Sequence, residues 1–183
     1  MFTYLEWLGE LVKVIGDLIP RRILVEPTHK GVKFKGMKHT LLLLPGRYWY
    51  IPFFSTYYLL PVVRQSLYTL EQDLMTLDGQ PLKLRSVVSY EIDDVVTAIA
   101  KAYEVTDQID DETMGLICRY VARKELKELM DDRTRMNREI TGLVNRRMEE
   151  YGISIKRVQI TSFISGKVIL HTGIDINLGE TNG

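Results

Sequence analysis

Histidine and cysteine are the side chains most often used for metal binding and for nucleophilic or acid–base chemistry, and this sequence has few of either. His29, His39 and His171 have no metal-ligand spacing, and no Ser-His-Asp constellation can be placed. The one cysteine, Cys118, follows Ile117 in a predicted amphipathic helix, so we expect a buried, unreactive thiol. Because no glycine-rich phosphate loop is present either, we predict a non-catalytic protein without metal or cofactor.

The composition limits the class of protein further. A length of 183 residues suits one domain with short appendages. Lysine plus arginine equals aspartate plus glutamate, 24 each, so the net charge is zero and the electrostatic footprint of a general nucleic-acid binder is missing. A single cysteine excludes an internal disulfide framework and fits a reducing compartment.

Charge is nevertheless distributed unevenly along the chain. Eight acids and one base occupy residues 91–112, whereas nine bases and five acids occupy residues 119–147. One interpretation is a solvated face with local i,i+4 pairs. The other is a head-to-tail contact, in which the acidic region of one subunit meets the basic helices of the next and closes a ring. The predicted subunit-contact residues are Arg119, Arg123, Asp107, Asp110 and Asp111.

The stretch LPGRYWYIPFFSTYYLLPVV, residues 44–63, holds seven aromatic residues and only one charge, Arg47. As a helix, its 16 uncharged residues from Tyr48 would cover about 24 Å, short of a hydrocarbon core of about 30 Å. Pro52 and Pro61 would also break that helix. Burial in the core and contact with a membrane interface both remain open, because Tyr and Trp are enriched at such interfaces. The predicted contacts are Tyr48, Trp49, Phe53, Phe54, Tyr57 and Tyr58.

Residues 3–19 have helical periodicity, with a wide apolar stripe and a narrow charged one. Charges at positions 6, 10, 13 and 17 argue against a spanning helix. The helix either docks onto the sheet or a partner, or lies in the plane of a membrane with Arg21-Arg22 near the phosphates, although its acidic polar face gains nothing from anionic lipid. For the second interpretation we predict membrane contact by Tyr4, Leu5, Trp7, Leu8, Leu11, Val12 and Ile15.

The remaining pattern predicts strands followed by helices. Short strands are expected over 22–92, with a hairpin turn at Asp78-Gly79 between strands over 66–76 and 81–92. Asp93 or Asp94 caps a short helix, and longer helices are expected near 112–131 and 134–151, the last ended by Gly152. We expect Asp110, Asp111 and Glu112 to lie at a helix N-terminus. The β-branched run 153–164 predicts a closing strand.

The order of these elements resembles the SPFH or Band 7 domain of stomatin, prohibitin, flotillin and HflK/HflC. Pro45, Gly46, Pro52 and Phe53 are similar to the family's Pro-Gly-x-x-x-x-x-Pro-Phe segment. MTLDGQPLKLRSVVSYEIDD is similar to its Thr-x-Asp-Gly turn and the strand that follows. The run from Ile117 to Ile160 is similar to its paired helices, Gly-Ile step and closing strand. The resemblance covers about residues 24–164, and three motifs in the right order make it fairly specific.

The resemblance implies an α+β fold with an antiparallel sheet part, paired helices and a closing strand. It implies three regions: an amphipathic anchor helix over 1–20, the SPFH-like domain over 21–165, and a short strand with a polar tail over 166–183. It also implies a membrane-associated scaffold on the cytoplasmic face. Such a scaffold forms rings or other homo-oligomers and organises membrane lipid or a membrane protein such as an AAA protease.

The sequence departs from the family at its end. The family usually continues into a long charged coiled coil, whereas this sequence stops within about twenty residues of the closing strand, so we expect smaller rings or a component of another assembly. The alternative function is a protein-interaction or structural subunit of a larger assembly, including a viral one. In that case the N-terminal helix docks on a protein partner.

Overall fold

A computed structural model of the chain describes residues 9–10, 12–13, 15–36, 39–102 and 104–165. These residues form a mixed α+β fold, which confirms the predicted fold class. The strands are β1 (Arg21–Val25), β2 (His29–Lys35), β3 (His39–Leu43), β4 (Gly46–Tyr50), β5 (Ser55–Pro61), β6 (Gln65–Tyr68), β7 (Gln72–Met75), β8 (Pro81–Ile92) and β9 (Ile153–Ser165). The helices are α1 (Val95–Lys101), α2 (Val105–Val121), α3 (Leu126–Asp131) and α4 (Arg133–Met148), followed by a 3₁₀ turn at Glu149–Tyr151.

The first five strands form two small antiparallel sheets that pack on each other. β1 pairs with β4 as a ribbon, and β3, β2 and β5 form a three-stranded sheet in that order. Because side chains alternate along a strand, Val32 and Phe34 of β2 face the main core, while the opposite face of this sheet meets the ribbon. Ile23, Val25 and Leu43 form a separate small core between the ribbon and this sheet.

The third sheet is built around β8. The strand β9 pairs along one edge of β8, and β6 and then β7 pair along the other. The predicted alternation over 81–92 is confirmed, and Ser86 is fully buried within the series. The predicted strand over 66–76 is divided, because the three residues between Tyr68 and Gln72 oppose only two residues of β8. In the resulting bulge, the hydroxyl oxygens of Thr69 and Ser86 lie 3.0 Å apart.

Backbone hydrogen bonds join the start of α1 to Gly152, the residue that follows α4 and its 3₁₀ turn. Asp94 caps α1, as predicted, by accepting hydrogen bonds from the backbone N–H groups of Val96 and Thr97 at 3.0 and 3.2 Å. The amides of Asp93 and Asp94 both donate to the carbonyl of Gly152 at 3.0 Å. Gly152 has φ +70°, and a Cβ there would lie 2.7 Å from the Asp94 carbonyl oxygen. Glycine is therefore required at this predicted helix stop.

The predicted continuous helix over 112–131 is wrong, because the chain turns between α2 and α3 at residues 122–125. The hairpin turn before β8 docks at this break. The amide of Leu77 donates to the carbonyl of Lys124 at 2.9 Å, and Asp78 Oδ1 accepts from the amide of Leu126 at 3.1 Å. The Thr76 hydroxyl donates to the same Asp78 oxygen at 2.5 Å, which holds the pKa of the Asp78 carboxyl below its usual value. The hairpin turn at Asp78 thus caps the N-terminus of α3, although it lies far away in the sequence.

Two further expectations about α2 are corrected. Asp110, Asp111 and Glu112 lie inside α2 rather than at its N-terminus, since the helix begins at Val105 after Glu104, which makes no side-chain cap bond. Cys118 is exposed rather than buried, because the buried face of α2 runs through Ile117 and Val121 and position 118 turns away from it.

The outer edge of β9 is closed by polar side chains of α4. The amide of Ile155 donates to Asn145 Oδ1 at 2.8 Å, and that of Val158 donates to Thr141 Oγ1 at 2.8 Å. The amide of Ile160 donates to Asn137 Oδ1 at 3.2 Å. These three acceptors are spaced by four residues, so they form one stripe along the helix that satisfies amides which an edge strand would otherwise leave unpaired.

Replacing Thr141 with Val tests this edge closure. The variant keeps the side-chain shape but leaves the Val158 amide without its acceptor, so we expect a loss of about 1–3 kcal/mol in the free energy of unfolding. Thr134→Val makes the same chemical change at an exposed position of the same helix and should have little effect in the same urea titration. Equal losses in the two variants would show that the Thr141 hydrogen bond contributes no net stability.

Candidate membrane-contact surface

The aromatic stretch is divided by strand alternation into inward and outward rings. Tyr48 and Tyr50 on β4 and Tyr57 on β5 pack against the small core between the two N-terminal sheets. The rings of Tyr50 and Tyr57 meet edge to face, with centroids 4.8 Å apart. Trp49 points the other way, and 57% of it is exposed. One strand therefore contributes both to the core and to the surface.

The turn between β4 and β5 presents two more rings. Phe53 and Phe54 are 57% and 53% exposed, and their rings meet edge to face at 4.9 Å. The turn is closed by the amides of Phe54 and Ser55, which both donate to the carbonyl of Ile51 at 3.1 and 3.0 Å. This backbone geometry holds the rings outward although burial would favour them by about 1.5–3 kcal/mol each.

The N-terminal segment reaches this turn. Residues 9–10, 12–13 and 15–17 are helical, and the amide of Phe53 donates to the carbonyl of Asp17 at 3.1 Å. Leu18 and Ile19, which follow, are 45% and 59% exposed. Beside the turn, an open groove of about 450 Å³ brings Pro20 together with Trp49 and Phe54. We call the exposed set the aromatic patch: Leu18, Ile19, Trp49, Phe53 and Phe54.

Two lysines line this groove, and an arginine lies against its tryptophan. The Arg22 guanidinium lies 4.6 Å from the centroid of the Trp49 ring, as expected of cross-strand partners on β1 and β4. Lys33 Nζ donates to the Trp49 carbonyl at 2.7 Å, and Lys35 lines the same groove. We call Arg22, Lys33 and Lys35 the cationic rim. Among the described residues, none of the three has a carboxylate within ion-pair distance, whereas Arg21 pairs with Asp17 at 3.5 Å.

The structure separates the predicted membrane-contact residues. Val12 and Ile15 are exposed, at 65% and 55%. Tyr58 is also exposed but lies beside Phe34, on the face of the three-stranded sheet opposite the ribbon, in a groove of about 650 Å³. Tyr48 and Tyr57 are partly buried against the small core and do not belong to the exposed patch. The predicted contacts outside the described residues are Tyr4, Leu5, Trp7, Leu8 and Leu11.

Sequence reasoning missed Lys33 and Lys35 as members of this surface. The alternation in β2 does predict that the two lysines share one face, because they alternate with Val32 and Phe34, which lie on the other face. The alternation does not predict that this face packs against the ribbon that carries Trp49.

The predicted subunit-contact residues lie along α2. Asp107, Asp110 and Asp111 occupy its N-terminal half, and Arg119 and Arg123 lie at and beyond its other end. Twelve residues of helix separate Asp107 from Arg119 by about 18 Å. A single chain therefore does not bring these acids and bases together.

Some charged side chains near these residues already form ion pairs within the chain. Glu112 accepts from Arg147 Nε of α4 at 3.0 Å, and Arg135 pairs with Glu139 at 2.8 Å. Burial, followed by the charge of Asp111, raises the pKa of the Asp110 carboxyl. Asp107, Asp111, Arg119 and Arg123 are exposed, so these four residues are available to a neighbouring molecule.

The described part of the chain contains no cluster of His, Cys, Asp and Glu able to hold a metal ion. No helix within the described residues is both long enough and apolar enough to cross a bilayer. The arrangement that these residues do provide is an exposed aromatic surface with a cationic border.

Comparison with known proteins gives one family. The family model described as SPFH domain / Band 7 family matches residues 23–172. An uncharacterised protein of Archaeoglobus fulgidus is 22% identical over 157 residues, which are 84% of this chain and 62% of that protein. Stomatin homologs of Pyrococcus horikoshii and Pyrococcus abyssi are each 24% identical over 119 residues, 63% of this chain and 44% and 43% of theirs. The chain thus spans between two fifths and two thirds of these relatives.

Proposed function

Because the chain belongs to the SPFH domain / Band 7 family, we propose that it is a non-catalytic scaffold that rests on one side of a membrane and assembles with copies of itself. Proteins of this family are generally membrane-associated and oligomeric, and they are generally not enzymes. The finer proposal is that the scaffold organises a patch of lipid, or a membrane protein such as an AAA protease, on the cytoplasmic face.

The observation that carries the proposal is the aromatic patch. Its five side chains are each 45–59% exposed, and they come from two separated parts of the chain joined by the hydrogen bond from Phe53 to Asp17. A Trp ring with cations beside it is a composition favoured at the headgroup level of a bilayer. Burying half of such a side chain in lipid contributes about 1 kcal/mol, so one copy would bind weakly and reversibly.

Self-assembly is the second element of the proposal. The exposed acids and bases of α2 are separated along one helix, so pairing Asp107 and Asp111 with Arg119 and Arg123 requires another copy. A contact between two different surfaces repeats from subunit to subunit and closes into a ring when the rotation allows it.

A different function, a protein-interaction module without membrane binding, is favoured by β3. Among the described strands β3 pairs only with β2, so no described strand covers its outer edge. Leu41, Leu42 and Leu44 at this edge are 45–55% exposed. An open apolar edge strand is a template for pairing with another chain. The two functions are separated by the next two experiments.

Replacing Phe53 and Phe54 together with Ser tests the membrane contact. We expect the double variant to float with liposomes at least tenfold less than the original protein, because two exposed rings worth about 1 kcal/mol each are lost. The matched control is Tyr68→Ser with Leu70→Ser, since these side chains are 71% and 68% exposed but lie outside the patch. Equal flotation of all three proteins would remove the patch from the contact, and no flotation of any would favour the interaction module.

Trp49 provides an independent readout of the same contact. The chain has two tryptophans, so Trp7→Phe leaves Trp49 as the only indole reporter. We expect its emission to shift to the blue when vesicles are added and to be quenched by lipids brominated near the headgroup. Both changes are expected because the exposed Trp49 ring would move from water into the membrane interface. An emission spectrum unchanged by vesicles would place Trp49 outside the membrane even if the chain binds.

Charge reversal tests the assembly. Arg119→Glu with Arg123→Glu should lower the assembly mass measured by light scattering, because like charges would then face each other across the contact. Arg85→Glu with Arg157→Glu reverses the same number of exposed charges on β8 and β9, outside the basic helices, and should leave the mass unchanged. A wild-type mass in the first variant would show that α2 does not form the subunit contact.

A further inference from the structure

The cationic rim points to a specific class of lipid. We propose that the groove beside Trp49 holds the phosphate of an anionic phospholipid headgroup, through Arg22, Lys33 and Lys35. This inference rests on the proposed membrane contact and adds to it a selection for lipid charge.

The first argument is convergence. Arg22 comes from β1, and Lys33 and Lys35 come from β2, which belongs to a different sheet. The two lysines line the groove because the ribbon packs on the face of β2 that carries them, and Arg22 adjoins the groove only through its contact with the Trp49 ring. Lys33 Nζ is fixed at 2.7 Å from the Trp49 carbonyl, and a lysine ammonium keeps two further donors after that bond.

The second argument is local charge. The chain as a whole is neutral, so it has no general attraction to an anionic surface. Seven other cations of the described residues have carboxylate partners, such as Arg64 with Glu91 at 2.9 Å and Lys83 with Asp73 at 3.6 Å. The three rim residues have no carboxylate partner among the described residues. Their positive charge is therefore available to attract an external anion.

The third argument is the shape of the surroundings. The groove of about 450 Å³ is lined by Pro20, Trp49 and Phe54 as well as by the lysines. A phosphate at the rim would place the acyl chains of the same lipid over the exposed rings, and Phe53 and Phe54 extend that apolar surface. A membrane lipid matches both halves of this site, whereas a free phosphate would match only the cations.

The test compares vesicles of phosphatidylcholine with vesicles in which a third of the lipid is phosphatidylglycerol, using the full chain in a sedimentation assay. We expect much tighter binding to the anionic vesicles. Lys33→Gln with Lys35→Gln should weaken that binding by about fivefold for each lysine, or about 25-fold together. The control, Lys127→Gln with Arg138→Gln, removes the same two charges from exposed positions of α3 and α4 and should change it less than twofold.

Each alternative outcome has a distinct meaning. Equal binding to neutral and anionic vesicles would overturn the lipid selection while leaving the membrane contact intact. Equal losses in both variant pairs would show that net charge, not this groove, governs binding. A fall in assembly mass with unchanged vesicle binding in the Lys33/Lys35 variant would assign the rim to a protein contact instead. Absence of binding to either vesicle would remove the membrane contact itself.

Discussion

The closure of the β9 edge by α4 is the interaction on which the arrangement of the domain depends. β8 is the central strand of the third sheet, and β9 covers the whole of one side of it. An uncovered β9 would present a row of unpaired amides, but Asn137, Thr141 and Asn145 accept from three of them. The same helix turns Met136, Ile140, Val144 and Met148 into the core. One helix thus supplies both the apolar layer and the edge cover.

The aromatic patch lies on the N-terminal sheets, away from this closure. The helical half shares one large core with β8 and β9, whereas the ribbon rests on a small separate core. Few apolar positions of the ribbon and its turn face that small core, so Trp49, Phe53 and Phe54 remain outside it. The small core cannot bury every ring of the ribbon and its turn, so some of them remain on the surface. This surface lies where the N-terminal segment meets the sheet.

Local features of the fold were predictable because they depend on neighbouring residues. The alternation over 81–92, the Asp94 cap and the glycine stop at 152 each follow from a pattern within a few positions. The break between α2 and α3 was not predictable, because Leu126 is capped by Asp78, which lies 48 residues earlier. For the candidate site, the exposure of Trp49 follows from the alternation of β4, but its meeting with Lys33 needs the packing of two sheets. Exposure of Cys118 required knowing which face of α2 is buried.

Weak contact by each copy is consistent with the proposed assembly. In the proposed contact, a patch of five partly exposed side chains and three cations would give a single chain only a modest affinity for a bilayer. Copies held in the proposed ring would present their patches to the same surface, so the second and later contacts would be effectively intramolecular and the combined affinity would rise steeply. A chain built in this way would leave the membrane as a monomer and stay on it as an assembly. Subunit contact and membrane contact would then be coupled through avidity, although α2 and the aromatic patch belong to different parts of the fold.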